Sequence, residues 1–342
     1  MTAAQNPAGL DLRRLRQWLP TAVPGAGGEL SAKLIAGGKS NLTYEVTDGT
    51  STWIVRRPPI GHVLATAHDM AREYRVMAAL QDTDVPVPRT HALCEDTAIL
   101  GAPFYVMERV EGIPYRYAGD VAGLTPERVR VISEALVDTL GALHSVDPAA
   151  VGLAGFGRPE GFLARQVNRW KKQIDASRTR DLPAADELHK QLAARVPTES
   201  AAGIVHGDYR LDNVLVDAQD RLVAVIDWEM ATLGDPLTDL ALMLVYGRLA
   251  DASVSDLIAD VSTVPGFLSE KEIVERYSRG SRRDLSELGF YVALASFKLA
   301  AILEGIHFRH VHGQTVGEGF AGIGDAVVPL LESGLRSLQE YR

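Results

Sequence analysis

The sequence predicts an α+β protein of two lobes, a smaller N-terminal lobe built on an antiparallel β-sheet with one main helix and a larger, mostly helical C-terminal lobe. Three observations carry this. The early chain carries short strand-like runs separated by turn residues, and from Thr125 onward the apolar residues recur at helical spacing. At 342 residues and 46% hydrophobic content the chain is long for one compact unit and can bury a large core.

Residues 1–30 read as an N-terminal extension, with a short helix from Leu10 to Leu19 ended by Pro20 and a link through Gly25, Gly27 and Gly28. Residues 31–111 form the first lobe. Its strands are expected at Ala32 to Ala36, Leu42 to Thr47 and Thr52 to Arg56, with a turn at Asp48-Gly49, then a helix from Ala67 to Leu80 and a buried strand from Pro103 to Val110. By strand alternation Arg56 and Arg57 face opposite ways. Residues 112–342 form the second lobe. Thr125-Pro126-Glu127 is a helix start, with Thr125 as N-cap and Pro126 in the first position. Phe162 to Arg195 reads as two amphipathic helices broken around Asp181-Leu182-Pro183, and further helices are expected at Leu237 to Tyr246, Ser269 to Arg279, Leu285 to His312 and Gly317 to Tyr341.

The most informative segment runs from Val205 to Asp239, V-H-G-D-Y-R-L-D-N-V-L-V followed by V-I-D-W-E-M-A-T-L-G-D-P-L-T-D-L-A. Val214-Leu215-Val216 and Leu222 to Ile226 read as strands turning at Asp217-Ala218-Gln219-Asp220, which sets Asn213 and Asp227 at strand ends, with Asp208 just before. Phosphoryl transfer needs these residue types. Mg²⁺ on a nucleotide takes hard oxygen ligands, which Asn213 and Asp227 supply. An acceptor hydroxyl needs a carboxylate to orient it and take its proton, the role that suits Asp208. Asp208 and Asn213 stand five apart, as in the H-R-D-x-x-x-x-N loop of protein kinases, with Gly207 where the arginine usually stands. All three side chains are expected to converge on one phosphate-bound cation.

H-G-D-Y-R-L-D-N-V-L followed by I-D-W-E resembles the signature of the aminoglycoside phosphotransferase-like family, small-molecule kinases with the protein-kinase fold. More closely, Gly38 to Leu244 is similar to the kinase-like domains attached to some acyl-CoA dehydrogenases, through S-N-L-T-Y-E-V, R-R-P-P-I-G-H-V-L-A-T-A-H-D-M-A-R-E-Y-R-V, G-A-P-F-Y-V-M-E and G-D-P-L-T-D-L-A. The resemblance implies a bilobal protein-kinase-like fold, ATP or GTP as donor, Mg²⁺, and a small hydroxylated acceptor. It implies that Gly38, Lys39, Ser40 and Asn41 cover the nucleotide phosphates, the two-glycine turn letting the backbone approach closely. It sets Arg56 where the family more often has lysine, with Glu73 as its carboxylate partner. Adenine is placed near Met107, Glu108 and Val110 at the hinge. Asp235 and Asp239 become supports, Asp235 capping a helix and Asp239 accepting from the catalytic-loop backbone or from His206. Arg165, Arg169, Trp170 and Lys171 are candidates to line the acceptor site.

Composition fits an enzyme of this kind. A formal net charge of −9 argues against bulk nucleic-acid binding. No apolar run approaches the ~20 residues that span a bilayer, and Asp11, Arg13, Arg14 and Arg16 break any signal-peptide pattern, so a cytoplasmic location and no membrane partner are expected. The single cysteine, Cys94, excludes an internal disulfide and reads as a small buried hydrophobe. Two other readings stay open. A nucleotide-binding regulator without catalysis is favoured by Arg56 and opposed by the intact Asp208, Asn213 and Asp227. A zinc site on His307, His310 and His312 lacks the spacing of strong sites, and these histidines read better as helix caps or pocket edges.

Overall fold

The structure, a computed structural model, describes residues 6–35, 41–60, 69–197, 202–252, 258–315, 320 and 322–340. The chain divides into two units, residues 1–112 with 223–231 and residues 113–222 with 232–342. Residue 112 ends the first run of the first unit, and a short second run, containing Asp227, returns to it.

In the first unit, helix α1 (Leu12–Ala22) is N-capped by Asp11, whose side chain accepts from Arg14 N. Pro20 lies inside the helix rather than ending it. Pro20 offers no N–H to the carbonyl four residues back, yet the helix runs two residues past it and Val23 N closes on Leu19 O. Strands β1 (Ser31–Leu34), β2 (Leu42–Thr47) and β3 (Thr52–Arg57) follow, then α2 (Met70–Leu80), β4 (Thr90–Cys94), α3 (Thr97–Leu100) and β5 (Phe104–Glu108). They make a five-stranded sheet in the order β1-β2-β3-β5-β4, every pairing antiparallel. Leu12, Leu15 and Leu19 of α1 join Tyr44, Val46, Trp53, Val55, Phe104 and Val106 of the sheet in one core. The first residues are therefore structural, and Tyr44 and Arg57 tie them down through the carbonyls of Ala8 and Gly9. Arg57 is buried and also holds the Leu100 carbonyl, so it is a core cation and not a surface one. Cys94 is buried at the end of β4, the small buried hydrophobe at a strand that the sequence leads one to expect.

The second unit contains α4 (Pro126–Ser145), α5 (Phe162–Ala176), α6 (Pro183–Ala194) and β6 (Gly203–Val205). After β7 (Val214–Val216) comes a turn in which Asp217 Oδ1 accepts from Gln219 N and Arg221 N, and then β8 (Leu222–Val225), within which the chain passes back to the first unit. Next come β9 (Thr232–Gly234), α7 (Leu237–Asp251), α8 (Glu270–Gly280), α9 (Leu288–Val311) and α10 (Val327–Glu340). Thr125 caps α4 and Ser269 closes a capping box on α8. The last helix starts at Val327, after a short 3₁₀ turn, Ile323–Ala326, and the expected bounds Gly317 and Tyr341 lie outside the described residues. Among the described residues one helix is long and apolar enough for a membrane span, contrary to the expectation from unbroken runs: α9, 24 residues long, with 78% of its most apolar window buried. Its neighbours α5, α7 and α10 surround it, so that apolar character forms the core of this unit.

β6 and β9 pair antiparallel, with Gly203 opposite Gly234. Both positions are crowded. A Cβ on Gly203 would meet Pro236 Cγ at 2.5 Å, and one on Gly234 would meet the Phe162 ring at 2.7 Å. This short ladder holds the stretches that lead into residues 206–208 and into Asp235.

Candidate active site

Each half of the predicted site takes shape inside its own unit. In the first, Arg56 lies on β3 between Thr43 of β2 and Tyr105 of β5. Its Nε is 2.9 Å from Glu73 Oε2 and its Nη2 is 2.5 Å from Asp227 Oδ1, with Glu229 Oε2 further off at 3.9 Å. The first contact is poorly aligned as a hydrogen bond, so charge attraction carries it. Glu73, on α2, is further held by Tyr105 OH at 2.9 Å and by Asn41 Nδ2 at 2.8 Å, and Asn41 also donates to Glu229. Arg56 and Glu73 thus form the cation–carboxylate pair expected at these positions, with the arginine fork reaching Asp227 as well.

Burial works against the charged form of both partners. For Arg56 the charges of Tyr105, Glu73, Asp227 and Glu229 override it, and the guanidinium is held above its usual range. For Glu73 burial wins, and its carboxyl is pushed up to about 7 despite the pull of Arg56 and Tyr105.

Asp227 does not close a strand. It sits past the end of β8 with φ 65° and ψ 58°, a left-handed conformation rare for a residue with a Cβ, and leads into a 3₁₀ turn, Trp228–Met230. Such an outlier persists only where its surroundings fix it. Here the Trp228 ring is fully buried and donates from Nε1 to Val225 O, and Arg72 of α2 grips the Ala231 carbonyl from two nitrogens.

In the second unit, Asp208 lies in a turn after β6, not on a strand, and Asn213 ends a 3₁₀ turn, Leu211–Asn213, just before β7. Asn213 Nδ2 donates to the Asp208 carbonyl at 2.8 Å and to its Oδ2 at 3.0 Å. The other carboxylate oxygen, Oδ1, accepts from Tyr246 OH at 2.9 Å. Gly207, at φ 88°, makes the bend that a side chain would resist. Below the bend, Asp239 accepts from His206 N at 2.6 Å and Gly207 N at 2.8 Å, and Lys298 Nζ donates to Gly207 O at 2.6 Å. Burial pulls Lys298 below the usual lysine range, and the charges of Asp208 and Asp239 oppose that. Asp239 is itself buried against His144, whose Nδ1 meets Tyr277 OH at 2.7 Å. Asp235 accepts from Leu237 N at 3.1 Å and Tyr291 OH at 2.6 Å.

The remaining predicted residues divide. Gly38, Lys39 and Ser40 lie outside the described residues. At the hinge, Met107 is buried and Glu108 exposed. The Glu108 N–H donates to Arg89 O at 2.7 Å, so it is engaged within the sheet, and Val110 lies just past β5. Trp170 is a core residue, buried beneath Lys298, rather than an acceptor contact. Lys171 pairs with Asp175 and Asp186, and Arg165 folds onto the carbonyls of Arg158 and Glu160. His312 Nδ1 meets Phe308 O at 2.7 Å at the end of α9, a capping contact. Sequence reasoning missed Tyr105, Tyr246, Lys298 and Tyr277 as parts of this machinery. They come from strands and helices far along the chain, and nothing in their local spacing marks them.

The residues present suit Mg²⁺. Both hydrogen bonds of the Asn213 amide leave from Nδ2, so its oxygen is the atom a cation would use, and Asp227 contacts Arg56 through Oδ1, which leaves Oδ2 for the same purpose. Among the described residues no group of three or more His, Cys, Asp or Glu is arranged to hold a metal.

Residues 31–270 match the family model described as "APH: Phosphotransferase enzyme family". The chain belongs to this family. Like others of the phosphotransferase family it has the protein-kinase-like fold. It is 34% identical over 337 residues to human acyl-CoA dehydrogenase family member 11, a match covering 95% of this chain and 43% of that protein. The chain therefore spans less than half the length of that relative. Among solved structures, a Ralstonia eutropha protein ascribed to the aminoglycoside phosphotransferases superposes with a TM-score of 0.84 at 33% identity, covering 96% of this chain and 98% of the other. Aminoglycoside phosphotransferase APH(4)-Ia, in a ternary complex with AMP-PNP and hygromycin B, superposes at 0.61 with 15% identity, covering 95% and 99%, and shares the fold. The phosphotransferase family assignment thus rests on a sequence match across most of the chain as well as on shape.

Proposed function

We propose that this chain transfers the γ-phosphoryl group of ATP or GTP to a hydroxyl of a small molecule, with Asp208 as base. The observation that carries the reading is the Asp208 carboxylate. Asn213 and Tyr246 bond to its two oxygens, the loop beneath it is strapped by Asp239, and its side chain still keeps 30% exposure, enough to meet an acceptor. The acceptor O–H donates to Asp208, and the oxygen forms a bond to the γ-phosphorus. The bond from that phosphorus to the β,γ-bridging oxygen breaks, the nucleoside diphosphate leaves with those electrons, and the proton ends on Asp208. When bound, Mg²⁺ neutralises charge on the phosphates, and Asn213 and Asp227 would hold it. Arg56 would offer its fork to the same phosphates.

The test follows nucleotide consumption against a panel holding aminoglycosides and hydroxyacyl metabolites, the latter suggested by the relation to acyl-CoA dehydrogenase family members. Asp208→Asn is expected to lower kcat by roughly 10²–10⁴-fold, the usual contribution of a general base. Equal turnover by the variant overturns the assignment. A second reading, a nucleotide-binding regulator without catalysis, is favoured by one contact, the 2.5 Å pairing of Arg56 with the proposed metal ligand Asp227. Stabilisation against heat by Mg²⁺-ATP with no turnover on any acceptor would select it.

A further inference from the structure

We infer that Tyr246 is a positioning residue for the proposed base, an inference that rests on Asp208 serving as that base. A carboxylate that takes a proton from an acceptor must present one oxygen along a fixed line, yet a bare aspartate swings about its last torsion with little resistance. Asp208 is braced at both oxygens. Asn213, its neighbour in the loop, donates to Oδ2 at 3.0 Å, and Tyr246, from α7, donates to Oδ1 at 2.9 Å across 38 residues of chain. The loop alone supplies one brace, and the helix supplies the other.

Tyr246 is itself held. The Arg210 guanidinium sits 4.8 Å over its ring, and the same arginine pairs with Asp212 at 2.6 Å and stands 3.7 Å from Asp208 Oδ2. Burial, and next the charge of Asp208, push the Tyr246 hydroxyl well above the usual tyrosine range, so it keeps its proton and stays a donor throughout the working pH range. One side of the ring lines a cavity of about 310 Å³ together with Met243, Val261 and Phe267. The hydroxyl is therefore the part of Tyr246 that reaches the base, while the ring serves packing.

Tyr246→Phe separates the two. It keeps the ring, the Arg210 contact and the cavity wall and removes the donor alone. We expect kcat to fall about 10–100-fold, as for other small misplacements of a reacting group, with the KM for nucleotide within about threefold of wild type, since binding of the donor does not run through Tyr246. In a crystal structure of the variant the Asp208 carboxylate should lie rotated from its wild-type plane. A merely structural tyrosine would change stability and leave the split between kcat and KM flat. Turnover within twofold of wild type, or an Asp208 carboxylate unmoved in the variant crystal, overturns the inference. Asp208→Asn runs in parallel: if it turns over like wild type, the base assignment itself fails and the inference with it, whereas an inactive Asp208→Asn beside a fully active Tyr246→Phe removes the Tyr246 role alone. Should no acceptor be turned over even by wild type, the crystal comparison decides.

Discussion

Arg56 and Glu73 form a buried ion pair, 2.9 Å between Nε and Oε2, with side chains 13% and 1% exposed. Removing the cation leaves a carboxylate facing Asp227 and Glu229 without its main counter-charge. Arg56→Ala is therefore expected to destabilise the first unit by about 3–5 kcal/mol, the cost of breaking a buried pair by deleting one partner, read from urea unfolding. Arg56→Lys keeps a charge on a compact head that cannot meet Glu73 and Asp227 together, so its loss should fall between wild type and alanine. A loss under about 1 kcal/mol for alanine would show the pair to be as weak as a surface contact.

Glu73 gives the first unit a pH dependence carried by its neutral carboxyl and not by the ion pair. Its carboxyl rises from an ordinary 4.5 to about 7 in the folded protein, chiefly through burial. Between those values the folded state binds more protons than the unfolded chain, so the contribution is full below pH 4.5, declines as pH rises, and is gone above about 7. The expected slope is at most about 1.4 kcal/mol per pH unit for one group. The gap between the unfolding free energies of wild type and Glu73→Gln should narrow as pH falls from about 7 to 4.5 and stay constant above pH 7, since glutamine mimics the neutral carboxyl. Curves parallel throughout would place the titration elsewhere.

Gly266 offers a purely steric test. It has φ +97°, and a Cβ there would lie 2.0 Å from the Pro126 carbonyl oxygen at the start of α4. Neither the backbone angle nor the neighbouring main chain can give cheaply, since the oxygen belongs to the first turn of a long helix. Gly266→Ala should cost about 1–3 kcal/mol from overpacking alone, more with the strained angle. Thermal unfolding reads it, and an unchanged midpoint would show that the loop moves freely.

How much of this was legible in the sequence depends on the range of the interaction. Strands β2 and β3, the cap at Thr125 and the break at Asp181-Leu182-Pro183 follow from local patterning, and the structure has them. The pairing of Arg56 with Glu73 was readable because a motif fixes both. The three-residue strands β6 and β9 were not, since they are too short to show alternation and contain the glycines that normally mark turns. The left-handed Asp227 was hidden for a related reason: its conformation is imposed by the buried Trp228 and by Arg72, which a strand pattern does not record. Pro20 and the apolar α9 misled in opposite directions, the first because its helix continues two residues past the proline, the second because counting only unbroken apolar runs overlooks a helix interrupted by Lys298 and Glu304.

Asp239 ties the helical unit to the proposed catalytic loop, and its substitution should separate fold from chemistry. Its two oxygens accept from His206 N, from Gly207 N and from His144. An asparagine keeps the shape but has one oxygen, so its amide N–H₂ would be turned against at least one of these donors. Each donor left unsatisfied in a buried site costs about 1–3 kcal/mol, and a shifted Gly207 bend would carry Asp208 with it, lowering kcat by on the order of 10²-fold. Asp239→Asn should thus lose both stability and turnover while a folded fraction persists by circular dichroism. The pH dependence gives a second handle. Burial, opposed by the bond to Asp239, holds His144 below its ordinary 6.5. A depressed histidine contributes stability that is present above pH 6.5 and fades as pH falls through its folded value, because the unfolded chain takes up the proton first. His144→Gln should flatten the acid side of the wild-type stability curve below pH 6.5. Acid profiles of equal slope for wild type and His144→Gln would mean that His144 does not couple to this network.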